Sequence, residues 1–317
     1  MRLSATPAPR SERMMKAARF SQFGGPEVLE IVELPDPHAG PAQIRVTVHA
    51  AGINPSDWKL RKGLMGGELP QTTGREVAGV VDEVGAGVTD AAVGDRVFGF
   101  SPGEVGAGAA ELVVLSDYAP IPPSLGFVEA AALPVVIETA TRSLDVLGFG
   151  ARSSLLVNGA TGGVGSAAVQ LAVARGARVI GTASPANHDY LRSLGAEPVA
   201  YGEGLVARVR ALAPAGVDAA LDIAGSGVLP ELIELAGGPE HVVTIADFAG
   251  AQEHGVTFSR GDDAGRAVHA IAEIGELIES GRFSLPVAQT FPLAEIAEAH
   301  RVSEDGHTRG KLVLLIG

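Results

Sequence analysis

Between Lys16 and about Ser124, apolar positions alternate with polar ones or run in short stretches: Leu29–Glu33, Gln43–Ala51, Gly79–Val84, Arg96–Phe100 and Glu111–Val114. Turn-forming residues separate them, at Pro35-Asp36-Pro37, Gly85-Ala86-Gly87 and Pro102-Gly103. A period of two broken by such punctuation predicts an all-β, barrel-like unit. Glu129–Leu133 and Ile137–Leu147 then read as helices flanking a proline. After Ala151 the texture changes. Strands at Leu155–Asn158, Val179–Thr182, weakly near Val199, Val217–Ile223 and His241–Ala246 alternate with helices over 164–175, 187–194, 203–212 and 228–236. Such alternation predicts an α/β domain built on a doubly wound parallel sheet. Thr257–Ser259 adds one more strand, Asp263–Ser280 a long amphipathic helix, Leu293–Arg301 another, and Lys311–Ile316 a last strand. The expected organisation is an extension over residues 1–14, a β domain over 15–125, a parallel-sheet domain over 126–262, and a segment over 263–317 that returns to the first domain.

The first parallel strand ends in chemistry. Leu155-Leu156-Val157-Asn158 runs into Gly159-Ala160-Thr161-Gly162-Gly163-Val164-Gly165 and then an alanine-rich helix. A strand that turns tightly into a helix presents that helix's unpaired N–H groups and positive dipole end to an anion. Gly159 allows the turn, Gly162 lets a pyrophosphate approach the backbone, and Gly165 allows the helix to lie close to the sheet. Because Arg178–Thr182 supplies the next strand at the right distance, residues 159–165 predict a dinucleotide cradle rather than a glycine-rich surface loop. The carboxyl ends of later strands, at Ala224-Gly225 and Ile245-Ala246, are expected to add backbone contacts to the same ligand.

Composition narrows the field. At 317 residues the chain exceeds what one core comfortably serves, and 46% hydrophobic against 19% charged residues describes a globular protein. A net charge of −13 argues against nucleic acid or an anionic membrane as partner. There is no cysteine, which removes disulfides, thiolate catalysis and thiolate metal sites. No apolar run reaches the ~20 residues of a membrane span, so the expected compartment is the cytoplasm. The first 14 residues, with Arg2, Arg10 and Arg13, read as a disordered extension or an upstream start in preference to a targeting arm.

Taken in order, Gly24-Gly25-Pro26-Glu27-Val28-Leu29, Gly52-Ile53-Asn54-Pro55-Ser56-Asp57, Gly74-Arg75-Glu76-Val77-Ala78-Gly79, Val93-Gly94-Asp95-Arg96-Val97, Asn158–Gly165, Leu194-Gly195-Ala196 and Gly310-Lys311-Leu312-Val313 resemble the medium-chain dehydrogenase/reductase superfamily, within its zinc-independent quinone oxidoreductase group. The resemblance covers the chain from Met15 onward. It implies a GroES-like β-barrel domain, a Rossmann domain, a nicotinamide crevice between them, and a homodimer. Zinc-dependent relatives carry ligating cysteine and histidine where this chain has Ala51–Asp57, and Gly-His-Glu where it has Gly74-Arg75-Glu76. Both ligating types are replaced, and the eight histidines show no ligand-like pairing, so no metal is expected.

The cofactor is expected to be NADPH. An NAD site places Asp or Glu ~20 residues beyond the glycine loop, whereas here the second strand ends in Gly181-Thr182-Ala183-Ser184 with no carboxylate before Asp189. Ser184 leaves room for a 2′-phosphate; Asn187, His188 and Arg192 follow within reach. The resemblance brings Tyr201 to the same phosphate and Thr139 to the nicotinamide. No Lys or Arg occupies positions 183–188, where a phosphate partner is often found. Lys311 beside Gly310 reaches the cofactor or is a surface lysine.

For the chemistry, Asn54 lies in the segment that resembles the substrate-side wall, where an amide can bind a carbonyl oxygen as charge develops on it. Asn54 and Asp57 equally suit capping a helix that begins near Ser56. Relatives often carry a tyrosine a few residues later; this chain has Trp58-Lys59-Leu60-Arg61-Lys62, leaving Lys59 as the available substitute acid. Without a positioned acid, a quinone, whose reduced form water can protonate, is favoured as acceptor over an enoyl or 2-alkenal substrate. A cofactor-binding protein with little turnover is the third reading. Arg75 and Glu76 are expected to pair with each other and to have no catalytic part.

Overall fold

In the computed structural model, residues 13–101, 107–148, 150–261, 265–306 and 308–317 are described. Residues 1–12 of the expected extension lie outside them, while Met14 already belongs to the strand Met14–Phe20. That strand is the middle of a three-stranded sheet with Glu30–Pro35 and Gln71–Thr72. The larger barrel-like sheet has seven strands. Its central strand is Ile44–Ile53, where Ile44, Val46, Val48 and Ala50 are buried at every second position. One edge of this strand serves two partners: Ile44–Thr47 pairs with Leu112–Leu115, and Ala50–Ile53 with the C-terminal strand Lys311–Leu315. The other edge pairs with Glu76–Val84. The return of the C-terminus to the barrel is thus built through hydrogen bonds, and the unexpected strand Val287–Pro292 pairs beside it in parallel.

The second body is a six-stranded, wholly parallel sheet in the order Ala196–Ala200, Arg178–Ala183, Ser154–Asn158, Ala219–Asp222, Val242–Thr244, Thr257–Phe258. Its chain order reverses beside Ser154–Asn158, the switch point where ligands bind in such sheets. Apolar runs are buried on both faces: Leu155 and Val157 join one core, Leu156 and Ile180 the other. The first of these cores continues into the barrel through Ala50, Ala78 and Phe98, with the helices Phe127–Ala131 and Pro134–Leu147 packed between. Barrel and parallel sheet are therefore joined by shared apolar packing.

Two expectations need correction, and one helix is additional. The helix expected over Asp263–Ser280 is confined to Ala270–Glu273 and Gly275–Glu279; residues 262–264 lie outside the described residues, and Gly275 sits at the break, where a residue without Cβ weakens a helix. The helix expected at Leu293–Arg301 forms over Ile296–Asp305, after a 3-10 turn at Leu293–Glu295 that follows Pro292. The helix Phe248–His254, whose Asp247 side chain caps the Gly250 N–H, was not anticipated. No helix among the described residues is long and apolar enough to cross a membrane.

Candidate active site

The glycine loop has the geometry its sequence predicts. Gly159 takes φ +82°, a left-handed conformation that L side chains rarely adopt. A Cβ at Gly165 would collide with the carbonyl oxygen of Gly159, so the helix Gly163–Ala174 lies against its own loop. Gly162 differs: the nearest atom to a Cβ there is the Gly159 oxygen at 4.0 Å. No side chain caps the helix's first turn, leaving its backbone N–H groups beside that space. These features fit a pyrophosphate.

A ladder of buried polar side chains supports the loop, and sequence reasoning missed it. Gly159 N–H donates to Thr182 Oγ1 at 3.0 Å, whose hydroxyl donates to Asn158 Oδ1 at 2.8 Å. Asn158 Nδ2 donates to Asp222 Oδ1 at 2.9 Å, and Thr244 Oγ1 donates to Asp222 Oδ2 at 2.8 Å. Asp222 also accepts from the N–H groups of Ala224 and Gly225, and Thr244 Oγ1 from those of Ala246 and Asp247. Ile245 N–H donates to the Asp222 carbonyl at 3.0 Å. Four neighbouring strands thus hold one another's loops at a common edge. The signal was available: Asn158, Thr182, Asp222 and Thr244 are each a lone polar residue at or near the end of a buried apolar run.

At the end of the strand Arg178–Ala183, Asn187 Nδ2 donates to Ser184 Oγ at 3.2 Å, and His188 Nε2 is buried without a hydrogen-bond partner among the described residues. Tyr201 is largely exposed. Arg192 pairs with Asp189 at 2.6 Å on the surface. A different arginine reaches this area. Gly310 bridges to Gly162, Gly310 N–H points to the Thr161 carbonyl, and the preceding Arg309 places its guanidinium 5.2 Å from the Tyr190 ring centre. Tyr190 in turn donates to Ser166 Oγ at 3.0 Å, in the first turns of the helix after the glycine loop.

The barrel side meets the loop through Lys311. This lysine is buried, correcting the surface alternative, and its Nζ donates to Ile53 O at 2.9 Å, Asn54 Oδ1 at 2.6 Å and Glu76 Oε1 at 2.6 Å. Its Cδ would lie 3.1 Å from a Cβ on Gly163. Asn54 Nδ2 donates to Glu76 Oε1 at 2.8 Å, and Glu76 Oε2 accepts the Val135 N–H at 2.7 Å. Glu76 therefore pairs with Lys311 and not, as expected, with Arg75, which lies in the bend that precedes the strand Glu76–Val84. Lys311 fixes the Asn54 amide, since an ammonium must face Oδ1. Nδ2 then has one hydrogen engaged by Glu76 and a second left to donate.

Asn54 also starts the helix Pro55–Arg61, where the Asp57 carboxyl accepts the Asn54 N–H at 2.7 Å. Burial pushes the Asp57 carboxyl up to about 6, against the pull of the Asn54 N–H, Arg75 and Lys311. Lys59 is on the same helix with Nζ 5.7 Å from the Trp58 ring centre. Thr139, on the helix Pro134–Leu147, donates to Glu138, which is paired with buried Arg142 at 2.7 Å.

A glycine-rich strand-to-helix turn at the switch point of a parallel sheet, joined to a barrel through one apolar core, is the arrangement of a two-domain nucleotide-dependent dehydrogenase fold. Residues 40–122 match the family described as Alcohol dehydrogenase GroES-like domain, and residues 194–314 the family described as Zinc-binding dehydrogenase. The chain is 31% identical to the chloroplast envelope quinone oxidoreductase homolog of Arabidopsis thaliana over 95% of this chain and 98% of that protein. It is 42% identical to the quinone oxidoreductase of Rattus norvegicus over 54% of each protein. With spectinabilin polyketide synthase system protein NorB of Streptomyces orinoci it shares 36% identity over 93% of this chain and 14% of that protein. The chain thus spans about half, or far less, of the length of the last two relatives. Among solved structures, the quinone oxidoreductase from Coxiella burnetii superposes with TM-score 0.81 at 30% identity, over 96% of this chain and 100% of that one. A mycobacterial protein solved complexed with NADPH gives TM-score 0.81 at 29% identity, over 95% and 100%. The chain belongs to the medium-chain dehydrogenase/reductase superfamily, in its quinone oxidoreductase group. Among the described residues, no group of three or more His, Cys, Asp or Glu is placed to hold a metal ion.

Proposed function

We propose that this protein is a zinc-independent oxidoreductase that reduces a quinone-type acceptor with NADPH. The observation that carries the reading is the Asn54 amide, locked by Lys311 and Glu76 with a spare donor, in a node whose lysine packs against the glycine loop. Gly159–Gly165, Ala224, Gly225, Ile245 and Ala246 would hold the dinucleotide through backbone groups positioned by the Asp222 ladder. Ser184, Asn187, His188 and Tyr201 would surround the adenosine ribose. Arg309, parked on Tyr190, supplies the cation for the 2′-phosphate that the segment 183–188 lacks. Thr139 would border the nicotinamide, which when bound supplies a hydride.

The Asn54 Nδ2–H then donates to the acceptor oxygen as negative charge grows there; Lys311 is saturated by three acceptors and serves to orient that amide. Lys59 rests on Trp58 and is assigned no step. Where zinc-dependent relatives carry ligating cysteine and histidine this chain has Ala51, Pro55 and Arg75, and charge stabilisation falls to hydrogen bonds. A homodimer is part of the same proposal, with the open edge strand Thr257–Phe258 as its seat.

The test is steady-state NADPH oxidation with a panel of simple quinones and enals, alongside titration of NADPH fluorescence. Quinone turnover that survives a strong zinc chelator is expected. Turnover with enals alone would transfer the assignment to an alkenal reductase, and binding without turnover would overturn it.

A further inference from the structure

The helix Pro134–Leu147 carries a second buried ion pair, separate from the Asn54 node. Glu138 and Arg142, one turn apart, are 5% and 6% exposed. Arg142 Nε donates to Glu138 Oε1 at 2.7 Å and Nη2 to Oε2 at 3.3 Å. Three further contacts fasten the pair: Ala267 N–H donates to Glu138 Oε1 at 3.2 Å, Arg142 Nη1 donates to Ser259 Oγ, and Thr139 Oγ1 donates to Glu138 Oε2 at 3.2 Å. Ser259 N–H in turn donates to the Thr244 carbonyl at 3.0 Å. The pair is thereby tied to the carboxyl edge of the parallel sheet, where the Asp222 ladder reaches Thr244.

The other end of this helix fixes where Thr139 stands. Val135 N–H meets Glu76 Oε2 at 2.7 Å, in the node that holds Asn54, and Val136 Cγ1 would lie 3.0 Å from a Cβ on Gly163. Thr139 follows Val135 by four residues and Val136 by three, and precedes Arg142 by three, so all four share one face of the helix. That face runs from the glycine loop to the end of the strand Val242–Thr244, and Thr139 is half-buried at its middle. A threonine hydroxyl has one hydrogen and two lone pairs. The Glu138 carboxylate, paired with Arg142, offers only acceptors and takes that hydrogen. Thr139 Oγ1 is left with lone pairs alone for a further partner.

Building on the oxidoreductase reading, in which Thr139 borders the nicotinamide, we infer that Glu138 is a positioning residue that makes the Thr139 hydroxyl an acceptor for an N–H of the nicotinamide carboxamide. A carboxamide held at that point limits rotation of the ring about its glycosidic bond, which keeps one face toward the electron acceptor. The ligand class selected is a pyridine nucleotide that bears a primary amide. A nucleotide with a methyl group in place of the amide nitrogen leaves Thr139 Oγ1 without its donor and is disfavoured.

The experiment measures, by calorimetry without an electron acceptor, the dissociation constants of NADPH and of its reduced 3-acetylpyridine analogue, in which methyl replaces the amide nitrogen. The wild-type protein is expected to bind NADPH about tenfold more tightly than the analogue. Thr139→Val should bring the two constants within about twofold of each other, and Thr139→Ser should keep the preference. In Glu138→Gln the amide oxygen stays with Ala267 N–H and Arg142 Nε, which turns the amide NH2 toward Thr139 Oγ1. The hydroxyl hydrogen is then released toward the ligand, and the preference should collapse although Thr139 is intact. A merely structural Glu138 would weaken both nucleotides alike and leave the preference unchanged. Should Glu138→Gln fail to fold, Glu138→Gln combined with Arg142→Met leaves no buried charge unpaired, keeps the Ala267 contact and gives the same reading. A wild-type preference below about twofold, or one that survives the Glu138 change, overturns the inference while leaving the oxidoreductase reading intact. No binding of NADPH by the wild-type protein defeats both.

Discussion

The carboxyl edge of the parallel sheet and the barrel wall around Asp57 are both lined with buried polar side chains, yet they are built differently. Along the sheet edge, Thr182, Asn158, Asp222 and Thr244 satisfy one another and clamp three loops. Beside the barrel, residues 57–75 carry six buried polar atoms without a hydrogen-bond partner among the described residues, spread over the helix Pro55–Arg61 and the segment from Gln71 to Arg75. On the proposed function, the closed network would serve a cofactor that takes part in every turnover, and the bare groups an acceptor that varies. The buried carboxyl at Asp57 and the buried imidazole at His300, both held away from their ordinary pKa by burial, lie on the barrel side.

The sharpest way to break this comparison is Asp222→Ala. It strands Asn158, Thr244 and two backbone N–H groups, and should cost about 5 kcal/mol in denaturant unfolding together with NADPH binding. A cost below about 1 kcal/mol would mean the ladder is decorative. Next comes His300, which burial, reinforced by the Arg61 charge and opposed by Glu304, holds neutral with its pKa lowered to about 3. The unfolded chain takes up this proton near pH ~6.5 and the folded one does not. Stability is therefore full above that value and falls on acidification toward pH ~3, by about 4 kcal/mol. Unfolding of His300→Asn measured from pH 7.5 downward should be flatter than wild type; parallel curves would refute the burial argument.

Asp57 acts with the opposite sign. Its folded pKa of about 6 lies above the ordinary carboxylate value, so the folded state holds the proton longer and loses stability as pH rises between the two. Asp57→Asn should then stabilise the protein by about 3 kcal/mol at pH 7.5, with the gain vanishing near pH 4. Absence of that gain would mean that Asp57 is better paired in solution than its bare oxygen implies. The smallest effect belongs to Arg309→Ala, expected to weaken NADPH binding about tenfold, or ~1.4 kcal/mol, and NADH binding much less. Equal losses for both nucleotides would move Arg309 from the 2′-phosphate to the pyrophosphate.

Much of the sheet half was legible because its signals are local. The glycine loop and the strand–helix alternation each sit within a few residues, and the ladder residues end apolar runs that are easy to recognise once the edge is known. The barrel half was harder. Adjacency of Arg75 and Glu76 suggested a pair, but Glu76 is engaged by Lys311 and Asn54 instead. Lys311 could be read as reaching the cofactor or as a surface lysine, since nothing near Gly310 in the chain announces the carboxyl it meets.

By itself, the sequence determined the two textures, the cradle, and the loss of zinc-ligand residue types at positions 51–57 and 75, because periodicity, glycine conformation and side-chain chemistry are properties of short segments. Tertiary structure alone decided that Lys311 meets Glu76 and Asn54 across 235 and 257 residues, and that Arg309 lies over Tyr190. Those pairings follow from the C-terminal strand closing the barrel beside Ile44–Ile53. A long-range register of this kind is selected by burial of whole faces rather than by any neighbouring residue.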